Sequence, residues 1–140
     1  MNSTLFDQDY YLWLKETAQI LQQGRWSDLD IANLVEEIED MGRSEKRAVE
    51  RNLEVVLLHL LKHKYQPEKR SNSWLATLFE HRRRLNKYLK ESPSLKPYFH
   101  SAFADCYNAA RKLAAIETGL EIDIFPTESP FTPEEVLETS

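Results

Sequence analysis

Apolar residues recur along this chain at the three-and-four spacing of helix faces, and nowhere in sustained strict alternation. Tyr10, Trp13, Leu14, Ala18 and Leu21 form the first stripe. It predicts a helix from about Asp7 to Gln23, with Gly24 as its left-handed C-terminal residue. Ile31, Leu34, Val35, Ile38 and Met41 form a second, opened by Ser27 or Asp28 and closed by Gly42. Ser44 is placed to cap a third helix, which carries Val49, Leu53, Val56, Leu57, Leu60 and Leu61 to Tyr65, a span of roughly 30 Å. Pro67 stops it, because a residue before proline disfavours the helical region. Ser71 or Ser73 restarts the chain into a fourth helix with Trp74, Leu75, Leu78, Leu85 and Leu89 on one side.

Ser92-Pro93-Ser94 separates that helix from a fifth, which tolerates Pro97 in its first turn and ends at Gly119. Its stripe is Phe99, Ala102, Phe103, Cys106, Ala110 and Leu113. Pro126, Pro130 and Pro133 make residues from about 121 to 140 an irregular tail, with one short helical turn opened by Thr132-Pro133-Glu134-Glu135. The prediction is an all-α protein: a mostly antiparallel bundle of four to five helices with an extended C-terminal tail, in a single helical domain over residues 1–140.

Composition narrows the class. The chain is 41% apolar and 29% charged, with only three glycines, which is the balance of a helix-rich globular protein. One cysteine, Cys106, rules out an internal disulfide and suits a reducing compartment. The first residues show neither a basic n-region nor an apolar h-region, and the apolar runs, Val55 to Leu58 among them, are far too short for a membrane span. A cytoplasmic protein without membrane association is expected.

Charge is uneven. Residues 1–61 carry a net −6, residues 62–96 a net +7 and residues 97–140 a net −6. A basic middle between acidic flanks has two explanations: acidic helices packed beside basic ones, or an exposed anion-binding surface. The basic stretch also surrounds the feature that helix packing explains least. Tyr65-Gln-Pro-Glu-Lys-Arg-Ser-Asn-Ser-Trp74 crowds many functional groups into a short connection between two helices. Lys62, Lys64, Lys69 and Arg70 approach it from one side, and Arg82, Arg83, Arg84, Lys87 and Lys90 follow on the other. Tyr65 and Trp74 add aromatic faces, the pairing that single-stranded nucleic-acid binders use. Three successive arginines on a helix spread over about 200°, so at most two of them line one groove.

Other candidate chemistry is weaker. His59 and His63 lie four apart on one helix, where two imidazoles reach one metal, and Glu36, Glu37, Glu39 and Asp40 are possible carboxylate partners. No Glu precedes a His by three, so the carboxylate-bridged di-metal pattern is missing. Glu36, Glu39 and Asp40 also read as the solvated face of an amphipathic helix, able to pair with Arg43, Lys46 and Arg47. Cys106 falls on a core stripe and reads as a small buried hydrophobe.

Several blocks, taken in order, resemble the bacterial family catalogued as domain of unknown function 29. They are Leu5-Phe-Asp-Gln-Asp-Tyr-Tyr-Leu-Trp, Leu34-Val-Glu-Glu-Ile-Glu-Asp-Met-Gly-Arg-Ser-Glu-Lys-Arg, the 65–74 joint, Ser92-Pro-Ser-Leu, and Phe125-Pro followed by Pro130-Phe-Thr. The resemblance implies a small all-helical protein and carries no activity, because the family has no assigned catalytic residues. His63 departs from it, standing where the family pattern implies an aromatic residue, and this weighs against a two-histidine metal site.

The leading reading is a non-enzymatic interaction module that recognises a protein partner through the 65–74 joint and the basic helix after it. Its expected contact residues are Tyr65, Gln66, Lys69, Arg70, Ser71, Ser73, Trp74, Arg82 and Arg83. Nucleic-acid binding through residues 62–90 is the alternative, and a metal-binding bundle using His59 and His63 the second. No cofactor is expected, and a homo-oligomer is compatible with the pattern. Trp74 is expected to be largely buried near Leu61 or Tyr65, with Lys69 and Arg70 exposed.

Overall fold

The structure, a computed structural model, describes residues 4–138. It contains six α-helices: α1 (Leu5–Gln8), α2 (Tyr10–Gln22), α3 (Ile31–Tyr65), α4 (Asn72–Glu91), α5 (Lys96–Thr118) and α6 (Pro133–Leu137). Short 3-10 turns at Trp26–Asp28, Pro67–Lys69, Pro93–Leu95 and Ile122–Ile124 make most of the connections. No strand occurs among the described residues, and the all-α expectation holds.

Helix boundaries differ from the sequence reading in three places. The first helix is two, because Asp9 leaves the helical region and its carboxylate accepts the Leu12 amide at 3.1 Å. Such a local side-chain bond competes with the helical ladder and restarts it. The next helix is capped by neither Ser27 nor Asp28, both of which lie in a 3-10 turn. Asp30 caps it instead, accepting the Asn33 amide at 3.3 Å. Gly42 does not close a helix, and Ser44 does not open one: α3 runs unbroken through both for 35 residues, about 50 Å. A glycine inside a helix costs only about 1 kcal/mol, and the Met41, Arg43, Glu45 and Lys46 around it favour the helix. Gly24 and Gly119 do take the left-handed backbone expected of helix ends, at φ 67° and 74°.

The described chain divides into two compact units within α3, residues up to Arg43 and residues from Ser44 onward. In the first, the ring of Phe6 meets Trp13 edge-on at 4.8 Å, and the Tyr10 hydroxyl donates to the Glu37 carboxylate. Trp13 and Thr17 are its buried side chains. In the second, α3, α4 and α5 close around a core led by Leu53, Leu57, Leu61, Leu85, Phe99 and Tyr107.

The tail is irregular yet firmly docked. Phe125 and Val136 are fully buried in the same core, and Phe125 meets the Tyr65 ring edge-on at 5.3 Å. Side chains of α4 and α5 bind its backbone carbonyls. Arg111 donates to Phe125 and Ile122, Tyr107 to Pro126, Arg82 to Val136 and Glu135, and Asn86 to Leu137. The Thr132–Glu135 capping box starts α6 as the sequence suggests.

This docking yields a stability prediction. Phe125→Ala should cost about 3–5 kcal/mol in urea unfolding, while Ile124→Ala, at the exposed neighbouring position, should stay within about 0.5 kcal/mol.

Candidate functional site

The 65–74 joint is built by capping and packing. The last turn of α3 leaves carbonyls without helical donors, and the Arg70 guanidinium supplies the His63 carbonyl at 3.1 and 3.3 Å. Ser71 caps α4 by accepting the Trp74 amide at 3.2 Å, and its hydroxyl also meets that of Ser73 at 3.0 Å. Tyr65 is engaged with Phe125. Lys69 and Arg70 are exposed, as expected.

Trp74 corrects its expectation: it is half-buried. The Lys62 ammonium lies 4.7 Å from the ring centroid and 3.5 Å from Glu117 on α5. The lysine side chain is only 11% exposed, so a desolvated cation occupies the ring face that the sequence reading assigned to apolar contacts.

Much of the basic run is likewise engaged. Arg82 is half-buried and holds the tail. Arg83 and Arg84 both bind Glu80, at 2.7 and 3.0 Å, and hold its carboxyl down at about 2. Among the described residues, the pair Lys62–Glu117 alone joins the basic middle to the acidic flanks. The other ion pairs are local, including Arg43 with Asp40 and Glu39 as expected for a solvated helix face.

What remains is a groove of about 450 Å³ between α3 and α4, lined by Arg51, Asn52, His81, Arg84, Lys87 and Tyr88 among others. Asn52 and His81 fix its floor. The Asn52 amide nitrogen donates to the Ala48 carbonyl at 2.7 Å, so its oxygen faces the His81 Nδ1, 2.8 Å away. That nitrogen must therefore carry the proton, leaving Nε2 as the free nitrogen of the ring. Burial, then the charges of Arg84 and His59, lower the affinity of the ring for a second proton. Arg51 is exposed and has no acidic partner within ion-pair distance among the described residues. Sequence reasoning missed Arg51, Asn52 and His81. The available signal was Asn52 itself, a polar residue beside Leu53 and Val56 on a buried face, which requires a partner.

A second pocket of about 310 Å³ is acidic, with Glu50, Glu54 and Asp105 near Cys106 and Tyr98. Burial, reinforced by Glu54, Glu50 and Asp105, pushes the Cys106 thiol up to about 12. A thiol so protonated is no nucleophile, in line with its reading as a core residue. His59 turns Nδ1 to the Val55 carbonyl at 3.0 Å, and among the described residues no group of three His, Cys, Asp or Glu side chains is placed to hold a metal.

Two measurements check these assignments. Nitrogen NMR should show His81 as the Nδ1–H tautomer, titrating below the ordinary 6.5. The folded ring of His81, like that of His63, holds its proton less well than the unfolded ring. Their contribution is therefore complete above pH 6.5 and is lost as the pH falls through the lowered values; His81→Gln should reduce that loss. Cys106 should resist iodoacetamide in the native protein and react once urea unfolds it, as followed by intact mass.

No helix among the described residues is long and apolar enough to cross a membrane. Comparison with known proteins finds no match among curated sequences and none among solved structures. The sequence profile of one family, described as a domain of unknown function, matches residues 5–140. With that match covering nearly the whole chain, and with the blocks from Leu5 to Phe131 in order along it, the protein belongs to the family Domain of unknown function DUF29.

Proposed function

We propose that the protein is a non-enzymatic recognition module whose basic helix α4, with the 65–74 joint at its start, binds an acidic segment of a partner protein. The groove between α3 and α4 receives that segment, and the observation that carries the reading is its cationic lining over a neutral, hydrogen-bonded floor. Arg51 supplies charge from α3, Lys87 supplies it from α4 beside an exposed Glu91 at 4.0 Å, and Arg84 adds a guanidinium already oriented by Glu80. The joint contributes the side chains of Lys69 and Gln66, which make no capping bond, while Tyr65, Arg70, Ser71 and Trp74 hold its shape.

A protein segment fits better than a nucleic-acid strand. Glu91 lines the groove beside Lys87, and Glu80 holds Arg83 and Arg84, so the cations are interspersed with carboxylates and suit a short acidic segment better than a long polyanion. The aromatic platform that a strand would stack on is compromised too, since the Trp74 ring has Lys62 over it.

Fluorescence anisotropy with a labelled glutamate-rich peptide tests the reading. Binding should weaken as salt rises, and Arg51→Glu with Lys87→Glu should reduce affinity at least about tenfold, about 1.4 kcal/mol. Tighter binding of single-stranded RNA of equal charge would move the site to the nucleic-acid reading. Absence of binding by both probes would overturn the groove as an anion site.

A further inference from the structure

The groove between α3 and α4 combines two chemistries. Arg51, Arg84 and Lys87 line it as cations and call for an anion. His81 lines it as well, with its Nδ1 proton committed to the Asn52 oxygen at 2.8 Å. The amide nitrogen of Asn52 donates to Ala48 at 2.7 Å, so turning the ring over would leave that oxygen facing a lone pair. Nε2 bonds to nothing among the described residues, and no solvent-inaccessible side-chain nitrogen or oxygen there lacks a partner. Nε2 is therefore open to solvent. Among the cations stands a hydrogen-bond acceptor.

An acceptor in a cationic groove sorts anions by whether they bring a proton. A carboxyl group loses its proton at about 4.3, so at neutral pH it meets Nε2 lone pair against lone pair. A phosphodiester has a single charge and no second ionisation, and it does no better. A phosphomonoester differs on both counts. It carries a charge of about −1.5 to −2 at pH 7, and its second proton leaves at about pH 6. One oxygen can meet Nε2 through that proton while the others face arginine and lysine.

We infer that the acidic segment bound in this groove carries a phosphorylated serine or threonine, whose phosphate shares one proton with Nε2 of His81 among the cations Arg51, Arg84 and Lys87. The inference rests on the proposed acidic-segment site and names the group recognised there. Arg84 uses only Nε on Glu80, so among the described residues its terminal nitrogens keep their donors for a phosphate. Glu80 and Arg84 on α4, and Asn52 and His59 on α3, face the His81 ring. Arg51, Lys87, Tyr88 and Glu91 line the groove around it, and Arg83 is paired with Glu80. Burial, then Arg84 and His59, bring the proton affinity of the ring down from the ordinary 6.5 toward that of a phosphate, so one proton suits either side. Above pH 7 the free ring and the free phosphate are both largely bare. Binding there must take up a proton and must weaken as the pH rises further.

Isothermal titration calorimetry on the full chain tests this with two peptides of one acidic sequence. One carries a phosphoserine, and the other carries two adjacent glutamates that match its charge. The phosphoserine peptide should bind at least about tenfold tighter. At about pH 7.5, in buffers of different ionisation enthalpy, its binding should show net proton uptake. His81→Gln, checked by circular dichroism, should abolish that uptake and most of the preference. Equal affinity for the two peptides overturns this inference and leaves the acidic-segment site standing, whereas no binding by either overturns both. Proton uptake that persists in the variant removes His81 from the site and overturns the inference too. Adenosine monophosphate bound more tightly than the phosphoserine peptide overturns a partner protein as the source of the phosphate. The comparison of peptides needs only the wild type, so it decides the matter even where the variant does not fold.

Discussion

Everything in this protein is organised by the unbroken hydrogen-bond ladder of α3. The ladder passes through Gly42 without a break, so one helix supplies side chains to both compact units. A left-handed residue at Gly42 would have ended it there. The helix instead provides the core wall of the second unit, the α3 side of the cationic groove and the exposed face of the first unit.

Three arginines serve here as binders of backbone carbonyls. Arg70 finishes α3, Arg82 finishes α6 and Arg111 holds the turn before Phe125. Each guanidinium presents several donors in one plane, so it can serve groups that a lysine ammonium would satisfy singly. This is why a strongly basic sequence stretch leaves a modest cationic surface. Arg82 is withdrawn into the tail contacts, and Arg83 and Arg84 share a single carboxylate.

The helical class, the ends at Gly24 and Gly119 and the core stripes of the last three long helices, except for the exposed Leu75 and Leu113, were legible because period and punctuation agree there. The continuity of α3 was not, since the mild penalty of an internal glycine looks the same on paper as a helix stop. The joint was legible as an oddity but not as a set of caps: the partners of Arg70 and Trp74 depend on which groups the folded chain brings near. The groove was hidden for the same reason. Asn52 and His81 are 29 residues apart, and only the packing of α4 on α3 makes them a pair.

The side chains that grip the tail join distant parts of the chain: Arg82 to Val136 across 54 positions and Asn86 to Leu137 across 51. The tail grips α4 through Arg82 and Asn86 and α5 through Tyr107 and Arg111, so its bonds form after those helices have packed together. Interactions absent from the transition state act on the unfolding rate and leave the folding rate nearly untouched. The docked tail is therefore a kinetic latch, setting how long the native state lasts more than how fast it is reached.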